Sequence, residues 1–211
     1  SNPYDNRDPR MKYTIVCNEM KWPVDPVEIW EGGTNGLPLQ NATTTGYYLK
    51  KYVNNTISFE AGSTVTKKQH NWVLFRYGEI LLNYAEAMIN AFHDPNYKDA
   101  VYNMSAREAV NQIRGRTNIS LPGFPSDITE KDFVKRLKNE RRVELAFEGH
   151  RFWDVRRWKE LGQTVNIYGV KITKNNEVIS YEKFLLETRA VTDNMYFYPI
   201  PNTERFKNPN L

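Results

Sequence analysis

The stretch WVLFRYGEILLNYAEAMINAF, residues 72–92, sets the strongest constraint on the fold. Tyr77, Leu81, Tyr84, Ala85, Met88 and Phe92 recur at intervals of three and four, which gathers apolar side chains on one face of an α-helix. Such a face must be buried against neighbours, and the pattern downstream supplies more helices. His93, Asp94 and Pro95 stop the run. A second helix is predicted from Ser105, whose hydroxyl can cap free N–H groups while Glu108 completes a capping box. Its apolar face is Ala106, Ala109, Val110 and Ile113, and the short connection makes the two helices an antiparallel pair. A third helix is predicted from Thr129 as cap, with Gly149 placed to end it in a left-handed conformation. A fourth covers 151–161. The predicted fold class is therefore mainly α, with long loops and small β elements.

The chain divides into a loop-rich part at 1–69, a helical scaffold at 70–161, and a β-hairpin with C-terminal coil at 162–211. In the first part Pro23, Pro26, Gly32, Gly33, Gly36 and Pro38 interrupt every apolar period. An irregular stretch of that length signals either function or disorder. Trp22, Trp30, Tyr47 and Tyr48 argue against disorder, since disordered segments are poor in aromatics. Short β pieces are expected at 14–17 and 47–53. The hairpin is expected from 164–173 and 177–181 around Lys174, Asn175 and Asn176. MYFYPIP at 195–201 reads as one more strand-like run.

Composition excludes several classes. At 211 residues the chain can bury one substantial core without disulfide or metal support. The 29 basic and 25 acidic residues leave a formal charge of +4 spread along the chain, whereas a nucleic-acid module concentrates its surplus on one face. A single cysteine, Cys17, permits neither an intramolecular disulfide nor a cysteine-based zinc site. No stretch has the apolar length to span a bilayer, and SNPYDNRDPR lacks a signal pattern. The abrupt, turn-rich start leads us to expect a piece of a longer protein. Gly-x-Ser-x-Gly, Walker and Gly-x-Gly-x-x-Gly patterns are absent, and His70, His93 and His150 make no metal-ligating pair on a helix. No cofactor or metal is implied.

The run NERRVELAFEGHRFWDVRRWKE, residues 139–160, invites three readings. Glu140, Glu144 and Glu148 lie four apart on one helix face, within reach of arginines, which suits a structural ion-pair lattice. A glycosidase would need two carboxyls flanking a substrate from both sides of a cleft, which one helix face rarely provides. Arg156, Arg157 and Lys159 beside Trp153 and Trp158 resemble a nucleic-acid surface, but Glu148, Asp154 and Glu160 oppose phosphate there. Trp153 and Trp158 are expected as core anchors. The lattice is the preferred reading, with neither catalysis nor nucleic acid.

Binding residues favour loops held on a rigid scaffold. Trp22 and Trp30 bracket Pro23, Asp25 and Pro26, and GGTNG follows. Indoles can stack on the apolar face of a sugar ring while Asp25 and Asn35 bond hydroxyls. The alternative is that both rings only staple the loops to the helices.

Six segments taken in order, DPRM (8–11), TTGYYLKKY (44–52), FRYGEILLNYAEAMIN (75–90), VNQIRGRTNI (110–119), the run through AFEGHRFWDVRRW and YPIPNTE (198–204), resemble the C-terminal half of the SusD/RagB family. These are surface glycan-binding lipoproteins of Bacteroidota. The resemblance implies a scaffold of tetratricopeptide-like helical hairpins and an outer-membrane, surface-exposed precursor with a signal and a lipidated cysteine, which is not Cys17. It also implies no bond chemistry: an oligosaccharide is bound and passed to a SusC-like, TonB-dependent transporter. Ligand-contacting aromatics lie in the region after the DPR segment, which points to Trp22, Trp30 and Tyr47, with Asp25 and Asn35 as hydroxyl partners. A helical-repeat interaction scaffold without its own small ligand is the main alternative, and a glycosidase using the acidic helix a lesser one.

Overall fold

The computed structural model describes residues 2–57 and 66–208; the part of the loop-rich region at 58–65 lies outside them. Along the chain come α1 (Met11–Thr14), β1 (Ile15–Val16), β2 (Tyr48–Leu49), α2 (Tyr77–Phe92), α3 (Ala106–Arg114) and α4 (Glu130–Glu144). They are followed by α5 (His150–Arg157), β3 (Asn166–Asn175), β4 (Val178–Thr188) and α6 (Asn202–Lys207), with 3-10 turns at Leu161–Thr164 and Asp193–Tyr196. Helices dominate, and both sheets have two antiparallel strands, so the mainly α class with small β elements holds.

The main core is made by three helices. α2 buries Leu81, Leu82, Ala85, Met88 and Ile89, then stops at His93, which turns left-handed with φ 57° and donates its N–H to the Ile89 carbonyl. The Ser105–Glu108 capping box is complete and starts α3, whose Ala106 and Ala109 leave room for close approach. Thr129 caps α4 by accepting from the Asp132 N–H at 3.2 Å. Phe133 and Leu137 then close the core, with Phe124 edge-on to Phe133 at 5.8 Å. Arg76, before α2, and Arg116, after α3, both reach Glu144 at the end of α4. His93, at the other end of α2, reaches Glu130 at the start of α4. α2 therefore runs opposite to both α3 and α4.

A second, smaller core joins the loops to the hairpin. Val16, Val27, Ile29 and Ile172 are its buried centre, with Trp22, Trp30, Tyr48 and Val170 packed against it. β1 and β2 pair as Ile15↔Leu49 and Val16↔Tyr48, matching the expected β pieces. β3 and β4 pair from Asn175↔Val178 to Asn166↔Thr188, with a bulge at Ile167/Tyr168, around a two-residue turn that Asn176 enters at φ 53°. Cys17 is buried here, and burial pushes its thiol up to about 11, so it is an inert packing group.

Ion pairs knit these parts together. Glu144 is 5 % exposed, and its carboxylate accepts from Arg10 at 2.9 Å, Arg76 at 2.7 Å and Arg116 at 2.8 Å. Glu140 accepts from Arg10 at 2.5 Å and Arg114 at 2.6 Å. Glu148 is held by Arg76 and Lys51, each at 2.6 Å. Asp154 is held by Arg141 and Arg157, each at 2.8 Å, and Arg157 also pairs with Glu86. Gly78 is needed beside this cluster: a Cβ there would stand 2.7 Å from Arg76 Nη1 and 3.3 Å from Glu144 Oε1.

Four expectations are corrected. α2 begins at Tyr77 and not at 72, because Arg76 adopts an extended conformation with φ −140° that carries its guanidinium to Glu144 and Glu148. α4 ends at Glu144, not at Gly149. Arg76 Nη2 takes the Glu144 carbonyl at 2.6 Å and Lys51 Nζ the Ala146 carbonyl at 2.9 Å, so distant side chains satisfy the helix end. Gly149, at φ 84°, instead opens α5. The 195–201 run forms no strand: a 3-10 turn at Asp193–Tyr196 leads into coil. Trp153 is 56 % exposed and stacks on Tyr198 at 5.7 Å, so it anchors no core.

Glu144→Ala is expected to cost about 3 to 5 kcal/mol, since removing one member of a buried ion cluster strands the others. That corresponds to a drop of roughly 10 °C in the thermal unfolding midpoint, while Glu204→Ala, whose partner Lys207 is exposed, moves it little. Circular dichroism melts compare the two; equal midpoints for Glu144→Ala and wild type refute the coupling.

Acid should act on the same group. Burial pulls the Glu144 carboxyl up, but hydrogen bonds from Arg10, Arg76 and Arg116 outweigh it and hold the pKa at about 2 against an ordinary 4.5. A carboxyl depressed on folding stabilises fully above its unfolded value, here by about 3 kcal/mol, and that contribution fades as pH falls through the folded value. Urea midpoints measured across the acid range should fall between pH 4.5 and about 2, and less steeply in Glu144→Gln.

Candidate functional site

The loops before β2 form a platform seated on the β3–β4 hairpin. Two backbone hydrogen bonds fix it: the Glu31 N–H to the Ile172 carbonyl at 2.9 Å and the Val170 N–H to the Thr45 carbonyl at 2.9 Å. Gly46 permits the second, since at φ 82° its Cβ would lie 2.4 Å from the Val170 carbonyl oxygen. Within the platform, Asn18 accepts from the buried Ile29 N–H at 2.8 Å. Tyr48 donates to the Asn35 carbonyl at 2.7 Å and accepts from the Thr43 N–H at 3.0 Å.

Between platform and hairpin lies a recess of about 230 Å³. Ile29, Val170, Ile172 and Phe184 give it an apolar floor, and Thr43, Thr44, Glu31 and Lys171 line it with polar groups. Glu31 and Lys171 face each other at 3.3 Å, both about half exposed, so the pair is cheaply opened by a hydroxyl-rich guest. An apolar floor with a few convergent polar groups is the usual chemistry of a small-molecule site.

The structure places the residues singled out from the sequence as follows. Trp22 and Trp30 are half-buried, each with one side against the second core. Lys50 Nζ sits 4.6 Å from the Trp22 ring centre, and Lys174 Nζ 4.8 Å from that of Trp30. Each indole is thus packed on one side and has a lysine ammonium over its ring, a contact worth about 0.5 to 1 kcal/mol at an exposed site. Asp25 is exposed at the tip of the turn closed by the Lys21↔Pro26 bridge, and its carboxylate has no partner among the described residues. Asn35 braces the loop, its side-chain oxygen accepting from the Glu28 N–H at 3.1 Å, which leaves its amide NH₂ outward. Tyr47 is part of another cluster, edge-on to Tyr4 at 6.2 Å, and burial first of all raises its phenol pKa.

Trp22, Asp25, Trp30 and Asn35 all belong to the loops before β2, but neither they nor Tyr47, which packs beside Tyr4, line the recess. The recess residues Thr43, Thr44, Lys171 and Phe184 were not singled out from the sequence. Alternation in β3 and β4 puts Val170, Ile172 and Phe184 inward, but nothing local shows that a loop more than a hundred residues earlier covers them.

The acidic helix offers no catalytic pair. Glu140 and Glu144 are buried, each bonded to two or more arginines, and the Glu144 carboxyl, held at about 2, cannot serve as a general acid near neutrality.

Comparison with known proteins agrees with this architecture. SusD-like protein P2 of Formosa agariphila is 29% identical over 156 residues, covering 72% of this chain and 26% of that protein. SusD-like protein P38 of the same organism is 37% identical over 91 residues, covering 40% of this chain and 16% of that one. The crystal structure of a SusD-like protein from Bacteroides fragilis superposes with a TM-score of 0.79 at 26% identity, over 98% of this chain and 38% of that structure. The chain thus spans about a quarter of the length of the first of these relatives. The SusD family model matches residues 1–211, and the chain belongs to that family.

Proposed function

We propose that this protein binds an oligosaccharide on the loop platform without cleaving it and presents it to a SusC-like, TonB-dependent transporter at the outer-membrane surface. The SusD family has a carbohydrate-binding role in nutrient uptake, its members are generally non-catalytic, and they are typically outer-membrane lipoproteins. Among the described residues no helix is long and apolar enough to cross a membrane. In this reading residues 1–69 face the ligand, 70–161 are the scaffold, and 162–211 supply the hairpin beneath the platform. The observation that carries it is the recess between platform and hairpin, with its apolar floor and hydroxyl-bonding rim; Trp22 and Trp30 pack on the same small core as its floor residues Ile29 and Ile172. A sugar offers both surfaces such a place needs: C–H faces for Phe184 and the aliphatic floor, and hydroxyls for Thr43, Thr44, Glu31 and Lys171.

A protein-interaction scaffold is the second reading, favoured by the apolar run before α2. Trp72, Leu74 and Phe75 are 84, 75 and 75 % exposed. Retention of a purified transporter by the chain, with no sugar bound, would support that reading over the first.

Calorimetry of the full chain against a panel of neutral oligosaccharides tests the glycan reading. Trp22→Ala and Trp30→Ala should each weaken binding by roughly ten-fold, equivalent to about 1.4 kcal/mol. Asp25→Ala, whose exposed side chain supports no packing, should weaken it less without moving the thermal midpoint. No new reducing ends should appear. Sugar bound equally well by all three variants would displace the site from the platform.

A further inference from the structure

α4 has a second charged face. Lys131, Lys135, Lys138 and Arg142 follow one another at four, three and four residues, which aligns them along one side of the helix. At 1.5 Å per residue the stripe is roughly 16 Å long. Together with Arg151 of α5 they line a recess of about 340 Å³ that a single carboxylate, Glu160, enters.

That carboxylate is already engaged. Lys138 binds one of its oxygens and Gln163 Nε2 the other at 2.8 Å. Lys131, Lys135 and Arg142 have no carboxylate partner among the described residues. Arg151 donates to the neutral Gln163 Oε1 at 2.8 Å. Burial, then the charge of Arg142, lowers the pKa of its guanidinium. Elsewhere on the scaffold Arg10, Arg76, Arg114, Arg116, Arg141 and Arg157 are each neutralised by a carboxylate. The recess carries five cations against one carboxylate.

We propose that this recess is an anion subsite for an acidic oligosaccharide, one bearing sulfate esters or uronate carboxylates. It rests on the glycan-binding reading and narrows the ligand class. Guanidinium forks and ammonium groups both bind such oxyanions, and a stripe of cations engages several along one chain. The lining contains no aromatic ring, and the indole next to it, Trp158, already carries Lys138 Nζ at 5.1 Å and the Arg157 guanidinium at 4.6 Å from its ring centre, whereas a single-stranded nucleic acid needs open stacking faces beside its cations. Asn139 and Gln163 on the rim add neutral partners for hydroxyls.

Titration of the full chain with an oligogalacturonide, a sulfated heparin-derived tetrasaccharide and an uncharged oligosaccharide of equal length is the test. At least one acidic ligand should bind about ten-fold tighter than the neutral one, and that margin should shrink as salt is raised from 50 to 200 mM. Arg142→Gln and Lys135→Gln should each weaken the acidic ligand by roughly five-fold, leaving neutral-sugar affinity and the thermal midpoint unchanged. Inorganic sulfate and phosphate alone should bind far more weakly. Equal affinity for acidic and neutral sugars, indifference to both substitutions, or preference for single-stranded DNA or anionic vesicles overturns the subsite. If neutral sugars bind and depend on Trp22 and Trp30 while acidic ones gain nothing, the platform reading survives and this one fails. Acidic binding lost in Arg142→Gln but intact in Trp22→Ala and Trp30→Ala keeps the subsite and removes the platform. Absence of binding to every sugar overturns both.

Discussion

The carboxylate of Glu144 is the point on which the rest of the structure depends. Three arginines converge on it from parts of the chain 134, 68 and 28 residues away, namely Arg10, Arg76 and Arg116. Two of its oxygens thereby fix the approach to α2, the exit from α3 and the start of the loop region in one place. A buried ion cluster is poor at adding net stability, because desolvation offsets most of the attraction. It does specify geometry: an alternative packing of these helices would leave several charges buried and unpaired. Glu140 repeats the device one turn earlier with Arg10 and Arg114, so Arg10 is shared and the two carboxylates act as a unit.

This arrangement explains why loops so rich in proline and glycine are ordered. Arg10 precedes α1 and β1, and Lys51 follows β2, so the salt bridges to Glu140, Glu144 and Glu148 clamp both ends of the platform to the helical body. Between the clamps the chain needs few regular hydrogen bonds of its own. The second core and two backbone contacts to the hairpin hold it, with Lys50 and Lys174 set against the rings of Trp22 and Trp30. The platform is thus irregular backbone whose rigidity comes from α4 and β3.

Much of this was legible in the sequence, and the parts that were not share a cause. Capping chemistry is local, so Ser105, Glu108 and Thr129 mark their helices correctly. Two runs flanking a polar turn give the hairpin, although the turn narrows to 176–177 and β4 continues past 181 to Thr188, and four-residue spacing gives the carboxylate lattice. Helix ends set by distant donors are invisible: Arg76 and Lys51 end α4, and neither is near it in sequence. The early aromatics Trp72 and Phe75 continue an apolar run, yet the extended backbone needed by Arg76 excludes them from the helix. The recess under Thr43 and Thr44 required knowing that the loop crosses β3, which no spacing encodes.

α4 shows how one helix can carry two electrostatic programmes. Its inward carboxylates, Glu140 and Glu144, are fully answered by arginines from other elements, and that face is consumed in holding the fold. Its outward stripe from Lys131 to Arg142 is answered only at Lys138, by Glu160. Had the outer face served the fold alone, interspersed acids at i+4 positions would have stabilised the helix by a few tenths of a kcal/mol each. Instead the side chains facing one another there are cations, and burial together with the charge of Arg142 lowers the pKa of Arg151. Repulsion left standing on the face opposite two fully paired carboxylates marks a surface built for something from outside the chain.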